Sequence, residues 1–135
     1  MYVCMYVSVR VLQYIDEAES NGCKILLDGR KWAATHPMGN WVGPTIILQN
    51  SRADPAMKDE IFGPVLSVLR VSSWQEAIDV ENSNMYGNAA CIYTERAASA
   101  QWFTKRFRAA MLGINIGIPV PRGSYFAVIL DNCHF

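Results

Sequence analysis

The sequence predicts an α/β fold, a largely parallel sheet with flanking helices. Two features point there. Strand-like runs alternate with helical patterns through the second half of the chain, the order of parallel strands joined by helices. The run Lys58-Asp59-Glu60-Ile61-Phe62-Gly63-Pro64-Val65-Leu66 also sets a tight Gly-Pro turn directly before Val65–Val71, which reads as a buried strand. A carboxylate fixed just ahead of such a strand lies at a sheet edge, where α/β proteins place ligand-binding groups.

The elements follow in order. Val9–Ser20 is a helix: Val11, Leu12, Ile15 and Ala18 share one face, Asp16, Glu17 and Glu19 the other. Asn21-Gly22 stops it. Cys23–Leu27 is a short strand closed by Asp28-Gly29. Arg30–Asn40 reads as a polar loop with Pro37 and Gly39. Trp41–Leu48 has the β-branched content of a strand, interrupted by Gly43-Pro44, and a proline there marks an edge. Ser51–Asp59 is a second loop with a turn around Pro55. After the Val65–Val71 strand, Ser72 or Ser73 caps a helix over Trp74 to about Asn82, with Glu76 placed to close a capping box on Ser73. Asn84–Asn88 is a turn and Ala89–Tyr93 a strand. Thr94 caps a helix over Ala97–Arg106 that buries Trp102 and Phe103. Met111–Ile116 is the last strand, and Pro119–Ser124 is irregular.

Bulk properties narrow the function. A length of 135 residues, with no repeat or flexible linker, predicts one domain without an internal boundary. Twelve basic and twelve acidic residues cancel, so nothing calls for nucleic acid or an anionic membrane as partner. Cys4, Cys23, Cys91 and Cys133 have no C-x-x-C spacing and read as reduced thiols. Met1–Val9 is apolar, but too short to span a bilayer and without the marks of a signal peptide. The expectation is a cytoplasmic protein. His36 and His134 have no ligand-spaced companions, so no metal site is expected. Lys105, Arg106 and Arg108 read as a solvated helix face.

Five segments, in order, carry a resemblance. They are Cys23-Lys24-Ile25-Leu26-Leu27-Asp28-Gly29-Arg30; Asn40-Trp41-Val42-Gly43-Pro44-Thr45-Ile46-Ile47; Glu60-Ile61-Phe62-Gly63-Pro64-Val65-Leu66; Glu76-Ala77-Ile78 with Asn82 and Met85-Tyr86-Gly87-Asn88; and Gly113-Ile114-Asn115. Together, over about residues 16–121, they resemble the latter part of an aldehyde dehydrogenase catalytic domain. Asp28-Gly29-Arg30, Tyr86-Gly87-Asn88 and Ile118-Pro119-Val120-Pro121 look most like the methylmalonate-semialdehyde dehydrogenase branch, which makes acyl-CoA.

The resemblance implies roles. Glu60 would accept hydrogen bonds from the hydroxyls of the nicotinamide-side ribose of NAD, since a carboxylate can hold a vicinal diol by two oxygens. Phe62 would pack near the nicotinamide, and Gly63-Pro64 would aim both. Asn115 falls near the family's substrate tunnel; a structural role and a substrate-side role are both open for it. Asn88 reads as turn chemistry.

The family nucleophile is a cysteine in a G-Q-x-C setting, which attacks the aldehyde before hydride transfer to NAD and acyl transfer to CoA. No cysteine here has that setting. Cys91, in an apolar strand, is expected to be buried and inert. The dinucleotide-binding domain is absent, and 124–135 does not match the family's G-G-x-K-x-S segment. The reading is therefore a fragment of an NAD-dependent, CoA-acylating dehydrogenase, inactive alone. In the complete enzyme its partners would be an aldehyde, NAD, CoA and further copies of the subunit. The alternatives are a non-catalytic module docking on a full-length dehydrogenase subunit, and a hydrolytic aldehyde dehydrogenase.

Overall fold

Helix α1 (Tyr2–Ser20) turns Val11, Ile15 and Ala18 inward, and each is at most 4% exposed. Their spacing places them on one face of a 3.6-residue helix. Burying an isoleucine or valine of this kind contributes about 1.5–3 kcal/mol. The helix starts earlier than the sequence predicts, because the apolar residues before Val9 continue it. The computed structural model describes residues 2–35, 38–117 and 119. His36 and His134 lie outside them, as do Ile118 and the residues after Pro119.

The chain forms two compact units, Met1–Arg70 and Val71–Phe135. In the first, β1 (Lys24–Leu27), β2 (Thr45–Leu48) and β3 (Val65–Val68) form a sheet in the order β1-β2-β3. β1 runs antiparallel to β2, with a register irregularity between Ile25 and Leu27, while β2 and β3 are parallel. Val11, Ile15, Ala18, Cys23 and Ile47 form the core, with Leu12, Ile25, Val42, Ile61 and Val65 packed on it.

Two short helices interrupt the predicted loops: α2 (Arg30–Thr35) and α3 (Pro55–Lys58). Pro55 stands in the first turn of α3, where its missing N–H costs nothing. β2 begins at Thr45, later than predicted. The Gly43 N–H bonds the Gly29 carbonyl (3.1 Å), and Pro44 has no N–H for a ladder.

The Asp28-Gly29-Arg30 run is an anchor. Arg30 grips Asp28 through two nitrogens (2.9 and 2.7 Å) and reaches back to Asp16 (2.8 Å) and Glu19 (2.6 Å) on α1. Gly29 packs so closely on Gly43 that a side chain would enter the Gly43 carbonyl. The Gly29 N–H bonds the hydroxyl of Thr45 (3.0 Å), so that buried oxygen is satisfied.

The second unit holds α4 (Trp74–Asn82), β4 (Ala89–Ile92), α5 (Ala97–Arg106) and β5 (Met111–Ile114). β4 and β5 are parallel, as a strand–helix–strand crossover requires. Ile78, Ile92 and Phe103 make the core, while Trp102 is only half-buried against it. The capping box at Ser73 is present, with one change. Glu76 donates its N–H to Ser73 Oγ (3.1 Å), but its carboxylate reaches the N–H and hydroxyl of Ser72. Thr94 is not the cap of α5. That position is Arg96, and Thr94 Oγ1 accepts the Arg96 N–H (3.2 Å) in the turn before the helix.

Lys105, Arg106 and Arg108 are exposed, and the Arg106 guanidinium lies 5.2 Å from the Trp102 ring centre. No helix among the described residues is long and apolar enough to cross a membrane.

Candidate functional site

The turn between α3 and β3 gathers the residues singled out in the sequence. The Asp59 N–H closes α3 on the Pro55 carbonyl (2.9 Å), and the Pro64 carbonyl accepts the Thr45 N–H (2.9 Å) at the start of the β2–β3 ladder. Four residues, Glu60 to Gly63, bridge these fixed ends. A bond from the Val65 N–H to the Gly63 carbonyl (2.8 Å) folds the chain tightly around Pro64.

Phe62 carries the most unusual backbone of the turn. Its φ is 54°, in the left-handed region that a bulky side chain avoids, and the ring is 77% exposed. Such a conformation costs on the order of 1–3 kcal/mol and persists only where the surroundings enforce it. Backbone strain of this kind clusters at active sites and ligand clamps. Glu60, two residues earlier, is exposed as well. Both border an open hollow of about 410 Å³, lined also by Ala56, Asp59, Val65 and Ser67.

Helix α1 holds this turn from below, which the sequence reading missed. Arg10 donates to the Glu60 carbonyl (3.0 Å), and the Tyr14 hydroxyl donates to the Asp59 carboxylate (2.7 Å). The Arg10 guanidinium also lies over the Tyr14 ring, 5.5 Å from its centre. Val11 sits against Gly63 so closely that a Cβ there would come within 2.5 Å of its methyl. The available signal was the spacing: Arg10 and Tyr14 stand four apart and so share one helix face.

Asn115 belongs to the other unit. It also has a left-handed backbone (φ 55°), which asparagine tolerates far better than phenylalanine. Its Oδ1 accepts the Thr94 N–H (2.8 Å) and its Nδ2 donates to the Thr94 carbonyl (2.9 Å). Its own N–H bonds the Ile92 carbonyl (2.8 Å). The structure therefore brings Glu60 and Phe62 together and gives Asn115 a structural duty beyond the end of β5. The Gly87 and Asn88 carbonyls accept the N–H groups of Ala110 (2.9 Å) and Met111 (3.1 Å), bonds that lead into the β4–β5 pairing.

The cysteines divide. Cys23 is buried and lies near Gln49 Oε1 (3.4 Å) and Asp54 Oδ2 (3.5 Å); burial pushes its thiol up, so it stays protonated. Cys91 is exposed, contrary to the expectation of a buried thiol. Side chains alternate along β4, and the core takes Ile92, so Cys91 faces the opposite side of the sheet. It borders a second hollow, of about 380 Å³, with Tyr86, Asn88 and Phe107.

The sequence profile of the aldehyde dehydrogenase family matches residues 8–127. A malonate-semialdehyde dehydrogenase of Bacillus pumilus (strain SAFR-032) is 46% identical over 112 residues, covering 83% of this chain and 23% of the relative. The crystal structure of methylmalonate-semialdehyde dehydrogenase from Oceanimonas doudoroffii superimposes with a TM-score of 0.81 at 38% identity, covering 87% of this chain and 24% of that one. A structure from Sinorhizobium meliloti 1021, assigned as a methylmalonate-semialdehyde dehydrogenase and complexed with NAD, gives 0.80 at 33% identity, with coverage of 86% and 24%. The chain thus spans about a quarter of the length of these relatives. Profile, sequence and fold agree, and the chain belongs to the aldehyde dehydrogenase family.

Proposed function

We propose that this chain is a segment of an NAD-dependent, CoA-acylating dehydrogenase of malonate or methylmalonate semialdehyde. The relatives at 46% and 38% identity bear those substrates in their names, which supports the substrate class. The observation that carries the cofactor side is the strained, exposed Phe62 beside Glu60 at the mouth of β3.

These residues fit NAD chemically. The Glu60 carboxylate stands at the surface and can accept from both hydroxyls of a ribose, while its main-chain carbonyl accepts from Arg10. Phe62 offers a flat apolar face to a neighbouring ring. When bound, NAD accepts the hydride that leaves the substrate. Asn115 would serve the substrate side with the amide hydrogen and lone pair not spent on Thr94.

The isolated chain would not turn over. Cys23 is held as a buried thiol, and neither it nor Cys91 has the G-Q-x-C setting of the family nucleophile. Nucleophile and dinucleotide-binding domain would come from the rest of the enzyme, and CoA would take the acyl group there.

A second reading rests on a separate observation. Leu26, Trp32, Trp41 and Leu66 are each more than half exposed in the first unit, which suits a module that docks on a full-length dehydrogenase subunit. The size of the native polypeptide separates the two. A longer subunit, with peptides reaching a G-Q-x-C segment, agrees with the enzyme reading. A native band at 15.1 kDa overturns it and favours the module.

A further inference from the structure

We propose that Arg10 and Tyr14 of α1 are positioning residues for Glu60 and Phe62, acting through the backbone of the turn; this rests on the cofactor role proposed for that turn. The geometry is a three-point clamp. Arg10 takes the Glu60 carbonyl (3.0 Å), Tyr14 takes the Asp59 carboxylate (2.7 Å), and Val11 fills the space beside Gly63. The three come from two adjacent turns of one helix, and the residues they touch flank Phe62 on both sides.

The physical need for a clamp is the Phe62 backbone. A non-glycine residue at φ 54° reverts to an ordinary conformation unless its neighbours are fixed. Gly63 is fixed by Val11, on a helix face buried in the core. Asp59 and Glu60 are at the surface, where the side chains of Arg10 and Tyr14 provide the hold. Release of Glu60 would let φ of Phe62 relax, and both side chains would leave the geometry a ribose and its ring require. Placement within about 0.5 Å is what separates a working constellation from a loose one.

The test compares Arg10→Met, Tyr14→Phe and the double variant with the whole chain, and uses Arg10→Lys as the conservative control. Amide hydrogen exchange is measured by NMR, together with the thermal midpoint. The proposal expects exchange in the Asp59–Gly63 turn to accelerate about tenfold in the double variant, with other core amides unchanged and Arg10→Lys largely restoring protection. Uniform acceleration, or none in the turn, overturns it. A merely structural role would move the whole unit.

A second readout separates this proposal from the function it rests on. NAD in large excess is added to each protein, and the Phe62 amide resonance is followed. If the whole chain responds and the double variant responds several-fold more weakly, the positioning role stands. If both respond alike, only the positioning role fails. If the whole chain does not respond, the cofactor reading fails and the positioning role falls with it.

Discussion

Asn115 grips Thr94 at both ends of one residue: its Oδ1 accepts the Thr94 N–H, and its Nδ2 donates to the Thr94 carbonyl. The side-chain amide thereby carries the pairing of β4 and β5 one step past the last strand residues, Ile92 and Ile114. Replacing it tests the duty directly. Asn115→Ala loses both bonds and is expected to cost about 1–3 kcal/mol in urea unfolding. Asn115→Gly keeps the left-handed backbone at ease and should lose less. Equal losses would mean that the amide bonds alone set the cost.

Phe62 predicts the opposite sign. With its ring 77% exposed, little packing is lost on truncation, and φ 54° suits glycine. Phe62→Gly is expected to leave stability unchanged or raise it by up to about 1 kcal/mol, while Phe62→Val, β-branched at positive φ, lowers it. Stability that falls with glycine would show that the ring packs more than its exposure implies.

The Asp28–Arg30 pair sets a pH dependence. The Arg30 guanidinium holds the Asp28 carboxyl down at about 2, below the ordinary value of about 3.9. A carboxylate depressed in the folded state stabilises above its unfolded value, and that contribution disappears as pH falls through the folded one. Denaturation midpoints should therefore drop between about pH 4 and about pH 2, and the Arg30→Gln variant should lose that part of the drop. Parallel curves for the two proteins would contradict the assignment.

Thiol reactivity checks the face assigned to Cys91. A maleimide added to the folded chain is expected to modify Cys91 at least on the order of tenfold faster than Cys23, read residue by residue from peptide masses. Faster labelling of Cys23 would mean that the first unit opens readily.

Much of this was legible in the sequence, and particular residues show where legibility ended. Trp74–Asn82 and Ala97–Arg106 were readable because apolar spacing and polar starts agree, and the observed helices have those bounds. Helix α2 was hidden: Arg30-Lys31-Trp32-Ala33-Ala34-Thr35 sits between glycines and a proline, too short for periodicity to speak. Met111–Ile116 was read two residues too long, since nothing local announces that Asn115 turns left-handed to reach Thr94. Glu60 and Phe62 stood out by motif alone. Arg10 and Tyr14 did not, because their partners lie 50 and 45 residues away.

We propose that the Glu60–Phe62 turn contributes to the NAD site of the complete dehydrogenase. The most direct measurement is an NMR titration of the whole chain with NAD, beside its Glu60→Gln variant. Saturable shifts of the Glu60 and Phe62 amides are expected in the first protein and weaker ones in the variant. Shifts confined to other residues, or identical in both proteins, would contradict it.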